Sequence, residues 1–218
     1  MTKIKICGIR NIDIAQYTIA CGASALGFNF YEKSVRNISI ENARDIIKGL
    51  PAIVSKVGIF VDKSENEIIE TVRATGIDTI QLHGDYDLDF ALHLKAKTPF
   101  PVIFAVRIND LTDTVIRKLY DIDINTFLFD KLDENLYGGS GKSFYIAANL
   151  SSETLDFIGK KVIIAGGINS RNISGIVKHL SPYAVDLSSS VETAPGVKDK
   201  FLIENFFIKF NSALRLQN

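Results

Sequence analysis

Three side chains of this sequence could do chemistry where the chain pattern would expose them. Asp130 closes the apolar run TFLFD. Its carboxyl group is expected in a partly desolvated setting, and desolvation raises a carboxyl pKa toward the range useful for a general acid. A carboxylate that only caps a loop is the commoner fate of such an aspartate. Cys7 closes the run KIKIC. A thiolate there would need loop N–H groups or a nearby cation to lower its pKa, and simple packing competes, because cysteine is among the most buried residue types. Cys21, inside a helical stretch, reads as packing alone. Arg36 stands in a polar stretch, where a guanidinium either grips a carboxylate by a two-point fork or lies solvated on the surface.

Three Gly/Ser stretches, YGGSGKS (137–143), AGGINS (165–170) and DLSSSVE (186–192), add a second kind of chemistry. Glycines let backbone approach a ligand, and a loop leading into a helix turns free N–H groups toward an anion. The last two stretches, following the seventh and eighth runs, therefore predict a phosphate site in their loops, with tight turns as the plainer alternative. YGGSGKS has Leu136 where a nucleotide P-loop requires glycine, so it reads as a lid, with Gly139 and Gly141 as candidate substrate contacts. Gln81 and His83 close a further run and are also candidate substrate contacts. His93 and His179 fall in helical stretches, so a histidine-rich metal site is not expected.

These residues share one position in a repeating unit. Short β-rich apolar runs (3–7, 25–30, 54–61, 79–83, 102–106, 126–130, 162–165 and 184–187) alternate with segments of helical periodicity (11–21, 40–48, 65–74, 87–96, 112–119, 170–179 and 201–214). Continuous apolar strands such as KVGIFV suit a parallel sheet covered on both faces. An open doubly wound sheet is the competing architecture. Eight βα units without a long insertion favour a single α/β domain over 1–218, a closed (β/α)8 TIM barrel. In such a barrel the chemistry sits at the C-terminal ends of the strands, which is where Cys7, Gln81, His83, Asp130 and Asp186 fall.

Composition narrows the partners. Twenty-five Lys plus Arg against 25 Asp plus Glu leave no net charge, which removes the basic bias of a protein that coats nucleic acid. Any anion must be held locally. No apolar run reaches the ~20 residues of a membrane span, and the first residues lack the apolar core of a secretory signal. A cytoplasmic protein with two free thiols is expected.

Together, KICGIR, GFNFYEKSVRNIS, VGIFV, QLHGD, LFD with YGGSGKSF, AGGI and VDLSSSVETAPGVKD resemble the phosphoribosylanthranilate isomerases of tryptophan biosynthesis, in order and over nearly the whole chain. The resemblance implies an Amadori rearrangement of N-(5-phosphoribosyl)anthranilate to 1-(2-carboxyphenylamino)-1-deoxyribulose 5-phosphate. It implies no metal or organic cofactor, a small-molecule substrate, and a monomer or homodimer. It makes Cys7 the general base, Asp130 the general acid and Arg36 the partner of the anthranilate carboxylate. Gly166, Gly167, Ser188 and Ser189 would hold the phosphate, and Asp186 would lie near the ribose hydroxyls. Glu32 and Val35 stand where the family has prolines, which implies a looser loop around Arg36, and Ser190 stands where glycine is common. The competing functions are another phosphosugar barrel enzyme, such as indole-glycerol-phosphate synthase or a pentose-phosphate epimerase, and a barrel that binds a phosphorylated ligand without turning it over. The first two would want a strand-exit lysine acid or a metal with His and Asp ligands.

Overall fold

The computed structural model describes residues 1–130, 154, 156 and 161–215; Gly139, Gly141 and the rest of YGGSGKS lie outside the described residues. Eight strands, β1 (Lys3–Cys7), β2 (Ala25–Asn29), β3 (Ser55–Phe60), β4 (Thr79–Leu82), β5 (Val102–Arg107), β6 (Thr126–Asp130), β7 (Lys161–Ile164) and β8 (Ala184–Leu187), close into a barrel in chain order. Every neighbouring pair is parallel, including the closure of β1 on β8. The described helices are α1 (Ile12–Cys21), α2 (Ile40–Lys48), α3 (Glu65–Thr75), α4 (Leu88–Lys97), α5 (Asp113–Asp121), α6 (Ile173–Leu180) and α7 (Lys200–Arg215). A short antiparallel hairpin, β9 (Glu192–Ala194) and β10 (Val197–Lys198), lies between β8 and α7. None of these helices is long and apolar enough to cross a membrane.

Side chains alternate along a strand, and this alternation builds two cores. Ile4 and Ile6 of β1, Phe127 and Phe129 of β6, and Val185 and Leu187 of β8 face the helices in the larger core. The intervening residues face the barrel axis, where Val57, Ile103, Leu128, Ile163, Ala165 and Ala184 make a separate inner cluster. The same alternation turns Lys5 and Cys7 inward from β1, Asp130 from β6 and Asp186 from β8. Lys5, 2% exposed, puts its Nζ 2.7 Å from Asp186 Oδ2. The two residues are direct lateral partners at the β1–β8 closure.

Helix starts fix the loops that leave the C-terminal ends of the strands. Asn11, Ser39, Ser64, Asp87 and Thr112 each accept a hydrogen bond from the first turn of their helix, and Ser64 completes a capping box with Glu67. The sixth described helix begins three residues later than periodicity predicts. Asn169 and Asn172 instead donate their side-chain amides to the Gly167 carbonyl, at 3.0 and 2.9 Å, and so prolong the turn after β7.

Candidate active site

The C-terminal mouth of the barrel opens into a cavity of about 520 Å³, within the ~300–1,000 Å³ of small-molecule sites. Every predicted site residue among the described ones lines it: Cys7, Arg36, Gln81, His83, Asp130, Gly166, Gly167, Asp186, Ser188 and Ser189. Cys7 and Asp130 enter from strands three steps apart round the barrel, by way of β8 and β7. They therefore face the cavity from different sides.

Room for the Cys7 thiol is provided by β2. A Cβ on Gly27 would sit 3.0 Å from Cys7 Cα and 3.1 Å from its Sγ. Gly27→Ala is accordingly expected to displace the thiol and cost about 1–3 kcal/mol of stability through overpacking. Thermal unfolding and thiol alkylation rate would both record it, and an unchanged alkylation rate would contradict the contact. Burial pushes the Cys7 thiol above its ordinary value. Lys5, Lys198 and Arg36 oppose that rise, and Asp186 adds to it. Cys21 is also raised by burial, so the measurement needs Cys21→Ser. In that variant the ultraviolet absorbance of the Cys7 thiolate should develop only on the alkaline side of an ordinary cysteine. A midpoint near neutrality would show that the three cations win instead.

Asp130 Oδ2 lies 3.5 Å from His83 Nε2. Burial lowers the His83 pKa, against the raising effect of the Asp130 charge, so the ring is neutral at pH 7. The Gln81 amide nitrogen lies 3.5 Å from His83 Nδ1, so that Nε2 is the ring nitrogen turned toward Asp130. Gln81 Oε1 and Asp186 Oδ1 are buried acceptors without a hydrogen-bond partner among the described residues. A ligand hydroxyl at either would remove that cost.

Two further loops line the cavity at the ends of β7 and β8. Gly166 and Gly167 both adopt left-handed backbone, φ 81° and 70°, and their amides have no hydrogen-bond acceptor among the described residues. Ser188, Ser189 and Ser190 approach the cavity from the end of β8. Among the described residues no three His, Cys, Asp or Glu side chains gather as metal ligands would.

The loop after β2 carries Arg36. Asn29 shapes it, accepting from Tyr31 N at 2.9 Å and donating to Ser34 Oγ at 3.2 Å, while Arg36 N donates to that hydroxyl at 3.1 Å. The Arg36 side chain then runs across Gly8, where a Cβ would meet its Cδ at 2.8 Å. Glu32 and Val35, the two residues that stand where the family has prolines, each make a contact outside the loop. Glu32 pairs with Lys63 at 3.1 Å, and the Val35 carbonyl accepts from Arg10 at 3.1 Å. The Arg36 fork is also engaged within the protein: Nε and Nη2 donate to Glu192 at 2.8 and 2.6 Å. Glu192 in turn pairs with Lys198 at 2.6 Å.

Sequence reasoning missed Lys5, Glu192 and Lys198, whereas Asn29 and Arg107 fall at strand exits, where the barrel rule looks for chemistry. The period-two rule applied to KIKIC would have placed Lys5 on the face of Cys7. Arg107, at the end of β5, pairs with Asp85 at 2.7 Å on the rim. Glu192 and Lys198 depend on a hairpin of only five strand residues, too short for periodicity to register.

The family model described as N-(5'-phosphoribosyl)anthranilate (PRA) isomerase matches residues 4–209. The N-(5'-phosphoribosyl)anthranilate isomerase of Geotalea uraniireducens is 37% identical over 206 residues, covering 94% of this chain and 97% of that one. Among solved structures, phosphoribosyl anthranilate isomerase from Thermotoga maritima superposes with a TM-score of 0.85 at 34% identity, covering 97% of this chain and 100% of that one. A phosphoribosyl anthranilate isomerase in complex with reduced 1-(o-carboxyphenylamino)-1-deoxyribulose 5-phosphate gives 0.79 at 30% identity, with coverage of 97% and 100%. Matched along nearly its whole length in sequence and in barrel geometry, the chain belongs to the N-(5'-phosphoribosyl)anthranilate isomerase family.

Proposed function

We propose that this chain catalyses the Amadori rearrangement of N-(5-phosphoribosyl)anthranilate to 1-(2-carboxyphenylamino)-1-deoxyribulose 5-phosphate, with Asp130 as general acid and Cys7 as general base. The observation that carries the assignment is that a carboxyl group and a thiol, on β6 and β1, line one cavity whose rim also carries two glycine–serine loops and an arginine. Asp130 gives its proton to the furanose ring oxygen, and the ring opens to a Schiff base. The Cys7 thiolate then removes the proton from the adjacent carbon to give an enolamine, which tautomerises to the ketone. Burial makes that thiolate scarce at neutral pH and correspondingly basic.

The remaining groups bind. The amides at Gly166 and Gly167, with Ser188 and Ser189, take the phosphate, remote from the reacting carbon, where binding energy can be used for positioning. Asp186 Oδ1 and Gln81 Oε1 accept from sugar hydroxyls, and Arg36 faces the anthranilate carboxylate. The free thiols of Cys7 and Cys21 support a reducing, cytoplasmic setting. Loss of phosphoribosylanthranilate fluorescence on mixing with the purified protein tests the assignment. Saturable turnover is expected. Tight binding of the reduced product without turnover would favour a non-catalytic phospho-ligand barrel.

A further inference from the structure

A carboxylate beside the cavity that accepts four hydrogen bonds belongs to a residue that the reaction above does not use. Glu192 is 3% exposed. Its Oε1 accepts from Arg36 Nε at 2.8 Å and Lys198 Nζ at 2.6 Å, and its Oε2 accepts from Arg36 Nη2 at 2.6 Å and Gly196 N at 3.2 Å. Lys198, also 3% exposed, stands opposite Glu192 in the β9–β10 register and donates onward to the Ser188 carbonyl at 3.0 Å. Ser188 lies on one side of the cavity and Arg36 on another. A single chain of charge-assisted bonds thus joins the two sides.

The arrangement has the marks of orientation rather than of holding a hairpin together. A hairpin needs only the Glu192–Lys198 pair. The two-point fork to Arg36 fixes the plane of the guanidinium as a single contact would not. Burial alone would raise the Glu192 carboxyl, but the hydrogen bonds from Arg36 and Lys198 outweigh it and hold the group at about 2. The carboxylate therefore stays ionised, and the fork intact, throughout the neutral range.

We infer that Glu192, braced by Lys198, is a positioning residue for substrate recognition: it aims Arg36 at the ligand carboxylate and keeps it in register with the Ser188 loop. The inference rests on the reading of Arg36 as the carboxylate partner, and the experiment separates the two. The reduced product analogue and its phenylamino counterpart, which lacks the carboxylate, are used as competitive inhibitors. The ratio of their affinities measures carboxylate recognition. Glu192→Gln is expected to lower that ratio roughly tenfold, the lower end of what one charge-assisted hydrogen bond is worth. Glu192→Asp should restore part of it. Arg36→Lys should lower the ratio too, and Glu192→Gln should add little on top of Arg36→Lys, since both act on one contact.

Equal weakening of both inhibitors by Glu192→Gln would show a merely structural residue and overturn the inference. A loss that adds fully to that of Arg36→Lys would overturn it as well. If Arg36→Lys leaves the ratio unchanged, the carboxylate role of Arg36 fails and the inference falls with it. Glu192→Gln leaves Lys198 buried without its counter-charge. Should that variant not fold, the pair Glu192→Gln with Lys198→Gln removes both charges together and carries the same measurement with the same outcomes.

Discussion

Cys7→Ala and Asp130→Asn are each expected to cut turnover of phosphoribosylanthranilate by at least ~100-fold while leaving the barrel folded. Both residues project from strand ends into the cavity, so neither substitution removes a layer of the core. Alanine has no group to accept the proton from carbon, and asparagine has none to give to the ring oxygen. The Asp130 variant also decides between two candidate acids, because His83 stands 3.5 Å away. Burial keeps that imidazole neutral, so it lacks the readily given proton of an imidazolium. If His83 were the acid, Asp130→Asn would cost little and His83→Asn nearly everything. Single-turnover rates on the two variants, with circular dichroism to verify folding, distinguish these cases. Near wild-type turnover in Asp130→Asn would remove it from the reaction.

How far the sequence alone could reach follows from the same strand ends. A strand obeys a period of two and a short apolar run is unmistakable, so TFLFD already says that Asp130 shares a face with Leu128 and therefore with the barrel interior. The eight runs, read with the rule that barrel chemistry sits at C-terminal strand ends, bring Cys7, Asp130, Gln81, His83 and Asp186 to one rim without any knowledge of distance. Partners across the rim are another matter. Arg36 reads as a free fork until Glu192 is seen to occupy two of its donors, and those residues meet only because the β9–β10 hairpin folds back over the loop after β2. That contact is written in no local pattern. Gly8 and Gly27 are similar cases: each looks like an ordinary glycine, and only the closeness of Arg36 and Cys7 shows why a side chain would not fit.

Lys5 yields a large expected effect on stability. It is buried beneath Cys7 and balanced by Asp186 at 2.7 Å, with both side chains at or below 9% exposure. Lys5→Met would leave the Asp186 carboxylate buried without its counter-ion, at a cost of about 3–5 kcal/mol. Lys5→Met with Asp186→Leu removes both charges and should recover most of that loss, since buried ion pairs seldom outdo well-packed apolar residues. Burial is the largest single influence and would lower the Lys5 pKa, but the charge and hydrogen bond of Asp186, with the Cys7 and Asp130 charges, together outweigh it and the pKa is raised. The sign follows: the contribution of the pair is complete below the unfolded lysine's pKa and is lost only as pH rises through the higher folded value. Denaturant unfolding of wild type, single and double variants between pH 6 and ~11 would test this. A single variant as stable as the wild type would mean that water, not Lys5, balances Asp186. The pair also sets the field at the base: Lys5 lowers the Cys7 thiol and Asp186 raises it. The double variant, stable as it should be, is therefore expected to lose turnover, with Asp186 no longer there to accept a sugar hydroxyl. Stability and catalysis are thus predicted to part company at this one pair.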